Sequence, residues 1–235
     1  MLPSKAKYHR SQGRVFRLLS TMLSMLLLAA CAAQMPAPEP APKCDEVADE
    51  AVNQGNWELA LKEHEQVLKE QPDNCLALYH LGYIWGQLGD REKEVHFYEA
   101  AVDCGYVHDD RLFFNLGMVY ADTGDTQQAL KALERATQLG PDNPDNFFGL
   151  GYTYLLAGRP AQAEAALITT LRLDDTHTDA RLTLVRLYLD QSRWEDARRQ
   201  LRRIKAGDPG YEAAQELWRK LEEREGAEYK GRNPR

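Results

Sequence analysis

A phrase that returns at a nearly constant interval restricts this chain more than any other feature of it. Leu81-Gly82 is followed by Trp85, Leu116-Gly117 by Tyr120, Leu150-Gly151 by Tyr154, and Leu184-Val185 by Tyr188. Self-similarity with a period of about 34 residues predicts a stack of two-helix hairpins, each completing its core against the next. Such a chain is organised along a line and not around one centre.

The columns of the repeat have distinct physical tasks. Each copy has a turn residue after its first helix, at Gly55, Gly89, Gly124, Gly158 and Ser192. Glycine accepts positive φ there and ends the first helix without strain. A small residue opens the second helix at Ala60, Ala129, Ala163 and Ala197, with Glu94 as the exception, and a bulky one follows at Tyr98, Leu133, Leu167 and Leu201, with His64 in the first copy. Small residues let helices approach, and large ones fill the groove beside them. Pro72, Pro141 and Pro209 close three of the units.

In that order the columns match W-x2-L-G-x2-Y…A-x3-F…P, and the chain resembles the tetratricopeptide repeat family over roughly residues 41–211. The resemblance implies an all-α, right-handed superhelical solenoid of about five units: 44–74, 75–109, 110–143, 144–177 and 178–211. A further amphipathic stretch, with Tyr211, Ala214, Leu217, Trp218 and Leu221 at helical spacing, predicts a capping helix over 212–225. The polar end, 226–235, is expected to be a flexible tail. The first copy carries Val47-Ala48 in place of Leu-Gly. The second ends in Cys104-Gly105-Tyr106-Val107-His108 instead of a proline. That slip is a tolerated loop insertion or a bend between copies.

Residues 1–30 read as an address. Lys5, Lys7, Arg10 and Arg14 precede a largely apolar run from Val15 to Ala30, interrupted by Arg17 and a few hydroxyls, and its stretch Leu23 to Ala30 alone is too short for an ordinary membrane span. It ends in Leu28-Ala29-Ala30-Cys31, which resembles the bacterial lipoprotein processing box. The resemblance implies a signal peptide removed before Cys31 and acyl chains, palmitate among them, on that cysteine. Two or more chains hold a protein stably on a bilayer. Ala32 stands where inner-membrane retention typically uses aspartate, so the expected location is the outer membrane, periplasmic face. Alternating prolines from Met35 to Lys43 make 31–43 an extended tether.

The chain carries 29 basic and 36 acidic residues, a net charge of −7. Five of the basic residues fall in the leader, which leaves the remainder more acidic still and a poor match for nucleic acid. One basic run opposes the trend: Arg193, Arg198, Arg199, Arg202, Arg203 and Lys205 around the second helix of the fifth copy. It is a solvated helix face or a docking patch for an acidic partner. With Cys31 lipidated, Cys44, Cys75 and Cys104 remain in an oxidising compartment. Cys75 begins and Cys104 ends the same antiparallel hairpin, which makes them a candidate disulfide, with Cys44 as a competitor.

In this architecture the first helices of successive hairpins line a concave groove. The offsets that face it hold Tyr79, His80 and Tyr83 in the second copy, and Phe114, Asn115 and Met118 in the third. The fourth adds Phe148, Tyr152 and Leu155, and the fifth Leu182, Arg186 and Leu189. Aromatic anchors with scattered polar groups suit an amphipathic helix or an extended apolar peptide. There is no phosphate loop, H-E-x-x-H or C-x-x-C, and the histidines are dispersed among the repeats, so neither catalysis, nor a cofactor, nor a metal is expected. The chain reads as a membrane-anchored interaction scaffold or assembly factor. By architecture it resembles lipoproteins that assist type IV pilus secretin assembly. The alternative is an accessory subunit of an envelope polysaccharide export or peptidoglycan-remodelling complex.

Overall fold

The computed structural model describes residues 46–232. Cys31, where lipidation is expected, the expected tether 31–43 and Cys44 lie outside the described residues. Eleven helices and no strand occur within them. They pair as hairpins: α1 (Glu46–Asn53) with α2 (Trp57–Glu70), α3 (Cys75–Leu88) with α4 (Arg91–Cys104), and α5 (Asp110–Thr123) with α6 (Thr126–Leu139). Then come α7 (Pro144–Leu156) with α8 (Pro160–Leu173), α9 (Thr178–Asp190) with α10 (Trp194–Leu201), and the terminal α11 (Tyr211–Arg232). Each hairpin packs on the next, and the result is an all-α superhelical solenoid.

Local chemistry sets most boundaries. Asn56, Asn74, Asp90, Asp109, Asp125 and Asn143 each accept a hydrogen bond from a backbone N–H in the first turn of the helix that follows. Short side-chain acceptors at this position satisfy donors that have no intrahelical partner. At the opposite ends Gly55, Gly89, Gly124 and Gly158 have φ between 67° and 89°. Ser192 holds the same left-handed conformation at φ 57° without being a glycine.

The interior shows why the small and large columns alternate. A Cβ on Gly117 would lie 2.6 Å from Leu133 Cγ, and one on Gly151 2.9 Å from Leu167 Cγ. Ala60, Ala129, Ala163 and Ala197 are fully buried opposite them. Glu94, the exception in that column, is also buried and fits because Gly86 makes room: a Cβ there would lie 2.6 Å from Glu94 Oε1. Arg91 Nη1 donates to Glu94 Oε2 at 2.6 Å, yet burial still pushes the Glu94 carboxyl above its ordinary range.

The C-terminal end departs from expectation in two ways. The helix α10 stops at Leu201, so Arg202, Arg203 and Lys205 belong to the following turn and not to a helix face. That turn is closed by the Asp208 carboxylate accepting from Lys205 N at 2.8 Å, and Gly207 and Gly210 adopt positive φ. The capping helix also continues to Arg232 instead of ending at residue 225. Gly226 alone costs about 1 kcal/mol in a helix, and no stronger breaker arrives before Asn233-Pro234. Ala214, Leu217 and Leu221 of α11 bury themselves against Leu182, Leu184 and Leu189 of α9.

Candidate functional site

A cleft of about 510 Å³ runs across the first helices of four consecutive hairpins. Its lining combines Val52 and Asn53 from α1, Tyr79, His80 and Tyr83 from α3, Arg111, Phe114 and Asn115 from α5, and Asn143 and Asp145 at the start of α7. The volume lies in the range of ligand clefts. Tyr83 is held edge-on to Trp57, with ring centroids 6.1 Å apart, and Tyr79 stacks on Tyr106 at 5.4 Å. These rings are therefore placed by neighbours from α2 and from the loop after α4, and little entropy remains to be lost when a guest arrives.

The one arginine in the cleft is paired. Arg111 makes two hydrogen bonds to the Asp109 carboxylate, Nε to Oδ1 at 3.0 Å and Nη2 to Oδ2 at 2.6 Å, and the Tyr106 hydroxyl donates to Asp109 Oδ2 at 2.8 Å. Burial pushes Asp109 up, but these bonds outweigh it and hold the carboxyl below its usual range. Desolvation raises the Tyr79 hydroxyl to about 12, so that ring stays neutral. Asp145 faces His177 across 3.3 Å. What is left open to a guest is aromatic surface with amide and hydroxyl groups between.

Three further features lie off the cleft's centre. Asp49 of α1, His64 of α2 and His80 of α3 converge so that one donor atom from each lies within 4.8 Å of the others. Burial lowers the pKa of His80, opposed by the Asp49 charge. Cys75 and Cys104 form a disulfide that closes the α3–α4 hairpin, with Cα atoms 5.4 Å apart. At the other end a second cavity, about 560 Å³, is lined by Arg181, Arg202, Arg203 and Lys205 together with Asp175 and Asp208. Arg181 is 6% exposed and donates to Gln200 Oε1 at 3.0 Å and to the Asp175 carbonyl, with no ion pair among the described residues.

Profiles described as tetratricopeptide repeat match residues 48–105, 120–176 and 156–221. The chain belongs to the tetratricopeptide repeat family. Among proteins similar to it, human tetratricopeptide repeat protein 21B is 27% identical over 156 residues, which cover 62% of this chain and 12% of that protein. The chain thus spans only a small part of that relative. Among solved structures, PilF of Pseudomonas aeruginosa superimposes with a TM-score of 0.67 at 20% identity, over 76% of this chain and 81% of that one. A MamA structure gives 0.60 at 20% identity, over 79% and 98%. YrrB, described as having an unusual peptide-binding site, gives 0.59 at 22% identity, over 66% and 80%.

Within this tetratricopeptide solenoid the residues expected to form the groove separate into four groups. Tyr79, His80, Tyr83, Phe114 and Asn115 share the cleft, though Tyr79 is itself 7% exposed. Met118, Phe148 and Leu155 are half-buried in seams between hairpins: Met118 packs with Phe114, while Phe148 lies 4.9 Å from the His177 ring. Tyr152 and Arg186 are exposed. Leu182 and Leu189 must be removed from the groove, because α11 covers them and leaves 3% and 4% exposure. The terminal repeat spends its inner face on its cap.

Sequence reasoning passed over Arg111, Asn143 and Asp145, which stand at or just after helix starts and read as caps. The Tyr120, Tyr154 and Tyr188 column also links neighbouring hairpins. Tyr154 and Tyr188 each donate to a glutamate of the preceding hairpin, Glu134 Oε1 at 3.3 Å and Glu164 Oε1 at 2.9 Å, and Tyr120 does the same to Glu99. Half of the basic run is paired. Arg193 binds Glu164 and Asp196, Arg198 binds Glu195 and Glu225, and Arg199 binds Asp196, while Arg202, Arg203 and Lys205 of the turn make no ion pair among the described residues.

Proposed function

We propose that this chain is a membrane-anchored scaffold that captures an extended apolar peptide or an amphipathic helix in the cleft along α1, α3, α5 and α7. The observation that carries the reading is that cleft: aromatic side chains from consecutive repeats, fixed from behind, with the Arg111 charge paired to Asp109. Such a surface recognises apolar side chains at successive positions while amides satisfy the guest's backbone. Nothing in it assembles a nucleophile, base and oxyanion site, and binding is its function. The peptide-binding site named for YrrB supports the same use of the fold.

Anchoring rests on the lipoprotein-like box at Cys31 and on the Cys75–Cys104 disulfide, a bond that persists outside the reducing cytosol. An anchor at the outer membrane confines the scaffold to a surface and raises the effective concentration of guests held there. The resemblance to lipid-anchored repeat proteins of secretin assembly, together with the fold shared with PilF, favours pilus or secretin assembly as the setting. One observation favours the second reading, an accessory subunit of a polysaccharide export or peptidoglycan-remodelling complex. The cationic cavity at Arg181, Arg202 and Arg203 suits an acidic polymer.

The cleft is tested by replacing two of its aromatic lining residues, Tyr83 and Phe114, with alanine and by placing a photo-crosslinking residue at Asn115. Loss of an aromatic anchor costs about 2 kcal/mol or more, so partner capture is expected to weaken at least about thirtyfold while helix content is unchanged. Crosslinks from Asn115 should land on the segment that the double variant releases. Undiminished capture by the folded double variant rejects the cleft as the binding surface.

A further inference from the structure

In the second to fifth copies the packing position is filled by Tyr98, Leu133, Leu167 and Leu201, each fully buried or nearly so. His64 occupies the same place in the first copy and is wholly buried. Apolar packing gains nothing from an imidazole, and burying one imposes a polar group on the core. The next hairpin meets it with a second imidazole: the His64 and His80 rings are edge-on, centroids 4.8 Å apart. A carboxylate from α1 completes the group, with Asp49 Oδ1 3.2 Å from His80 Nδ1 and 4.0 Å from His64 Nε2. Asp49 Oδ1 and His80 Nδ1 are both buried atoms, and with the His64 ring they bring one donor atom each to within 4.8 Å of one another.

From this convergence we infer that Asp49, His64 and His80 form a binding site for one divalent transition-metal ion of the zinc type. Metal–ligand bonds of about 2.0–2.1 Å at tetrahedral angles place donor atoms roughly 3.3 Å apart. The Asp49–His80 separation of 3.2 Å already fits, and the Asp49–His64 separation of 4.0 Å needs a closure of roughly 0.7 Å. Two imidazoles and one carboxylate suit zinc, nickel or copper, and suit magnesium poorly because it demands oxygen ligands in an octahedron. Each ligand comes from a different helix. A bound ion would tie α1 and α2 of the first hairpin to α3 of the second, where His80 also forms part of the cleft wall. The array's first hairpin would thus be clamped by metal, much as the second is by its disulfide.

The test uses the full chain, tag-free, with its cysteines oxidised and metal removed by chelation. Calorimetric titration with zinc is expected to show one high-affinity site, a Tm raised by several degrees, and no response to magnesium. Asp49→Asn and His80→Gln, each checked for native helix content, are expected to weaken zinc binding at least tenfold and to abolish the Tm shift. An independent readout needs no variant: paramagnetic cobalt should broaden the ring resonances of His64 and His80 and spare those of His96, His108 and His177. Zinc binding no stronger in the folded wild type than in the two variants, or cobalt broadening confined to the other histidines, overturns the site.

Discussion

Asn146 shows how much one residue can carry between repeats. It is fully buried, and its amide nitrogen lies 2.8 Å from Asp110 Oδ2 and 3.1 Å from both the Ala136 and Gly140 carbonyls. Asn143 donates to the same Asp110 oxygen at 2.8 Å, and a Cβ on Gly140 would intrude on that carboxylate. The third and fourth hairpins are thus joined by a polar knot in an otherwise apolar seam. Asn146→Ala should lower unfolding stability by about 2–3 kcal/mol in urea titration, because it strands buried acceptors and opens a small void. A loss below about 0.5 kcal/mol would mean that water replaces the amide. Asn146 looks like any polar residue in the first turn of a helix, and its partners come from residues 110, 136 and 140. That contact set is not written in local pattern.

At the scale of elements, the junction between the fourth and fifth hairpins depends on charge. Glu164 of α8 accepts from Arg193 Nη1 at 2.7 Å and Nη2 at 2.9 Å and from the Tyr188 hydroxyl at 2.9 Å, and the Arg193 guanidinium also covers the Tyr188 ring at 4.3 Å. The Arg193 hydrogen bonds hold the Glu164 carboxyl below its ordinary value. An unfolded glutamate titrates near 4.3. A depressed folded value therefore adds stability that is fully present above that pH and is lost as pH falls through the folded value. Both side chains meet water, so the contribution is no more than about 1 kcal/mol. Thermal melts should show Glu164→Gln below wild type at pH 7, with the gap closing as acid titrates the carboxylate below the ordinary glutamate range. A gap that persists in acid would assign the effect to packing. The same scale explains the disulfide: tying residues 29 apart reduces unfolded-chain entropy, by about 3–4 kcal/mol in the loop-closure account.

For the molecule as a whole, stacking makes stability a property of neighbours. Each seam has its own core, from Ala51, Ala60, Leu81 and Ile84 at one end to the cluster of α9, α10 and α11 at the other. Leu221 is fully buried in that last cluster. Leu221→Ala is expected to cost about 2–5 kcal/mol and to speed amide exchange in α9, α10 and α11 well before α3 and α4, since coupling decays along a linear array. Uniform acceleration across all hairpins would show a single cooperative unit instead. The cleft is lined by the first four hairpins, while Leu182 and Leu189 of the fifth are buried in one cluster with the cap.

Periodicity was enough to determine the hairpins, their turns and the fit of large side chains over Gly82, Gly117 and Gly151, because each of those relations lies within one repeat of about 34 residues and recurs. Half-legible were the groove residues. Offset along a helix tells which way a side chain points, and it placed Tyr83, Phe114 and Asn115 in the cleft. It does not tell what lies on top, and only the path of α11 decided that Leu182 and Leu189 are core. The meeting of Asp49, His64 and His80 was invisible for the same reason. Their spacing follows no motif, and three helices must first pack before the three side chains become neighbours.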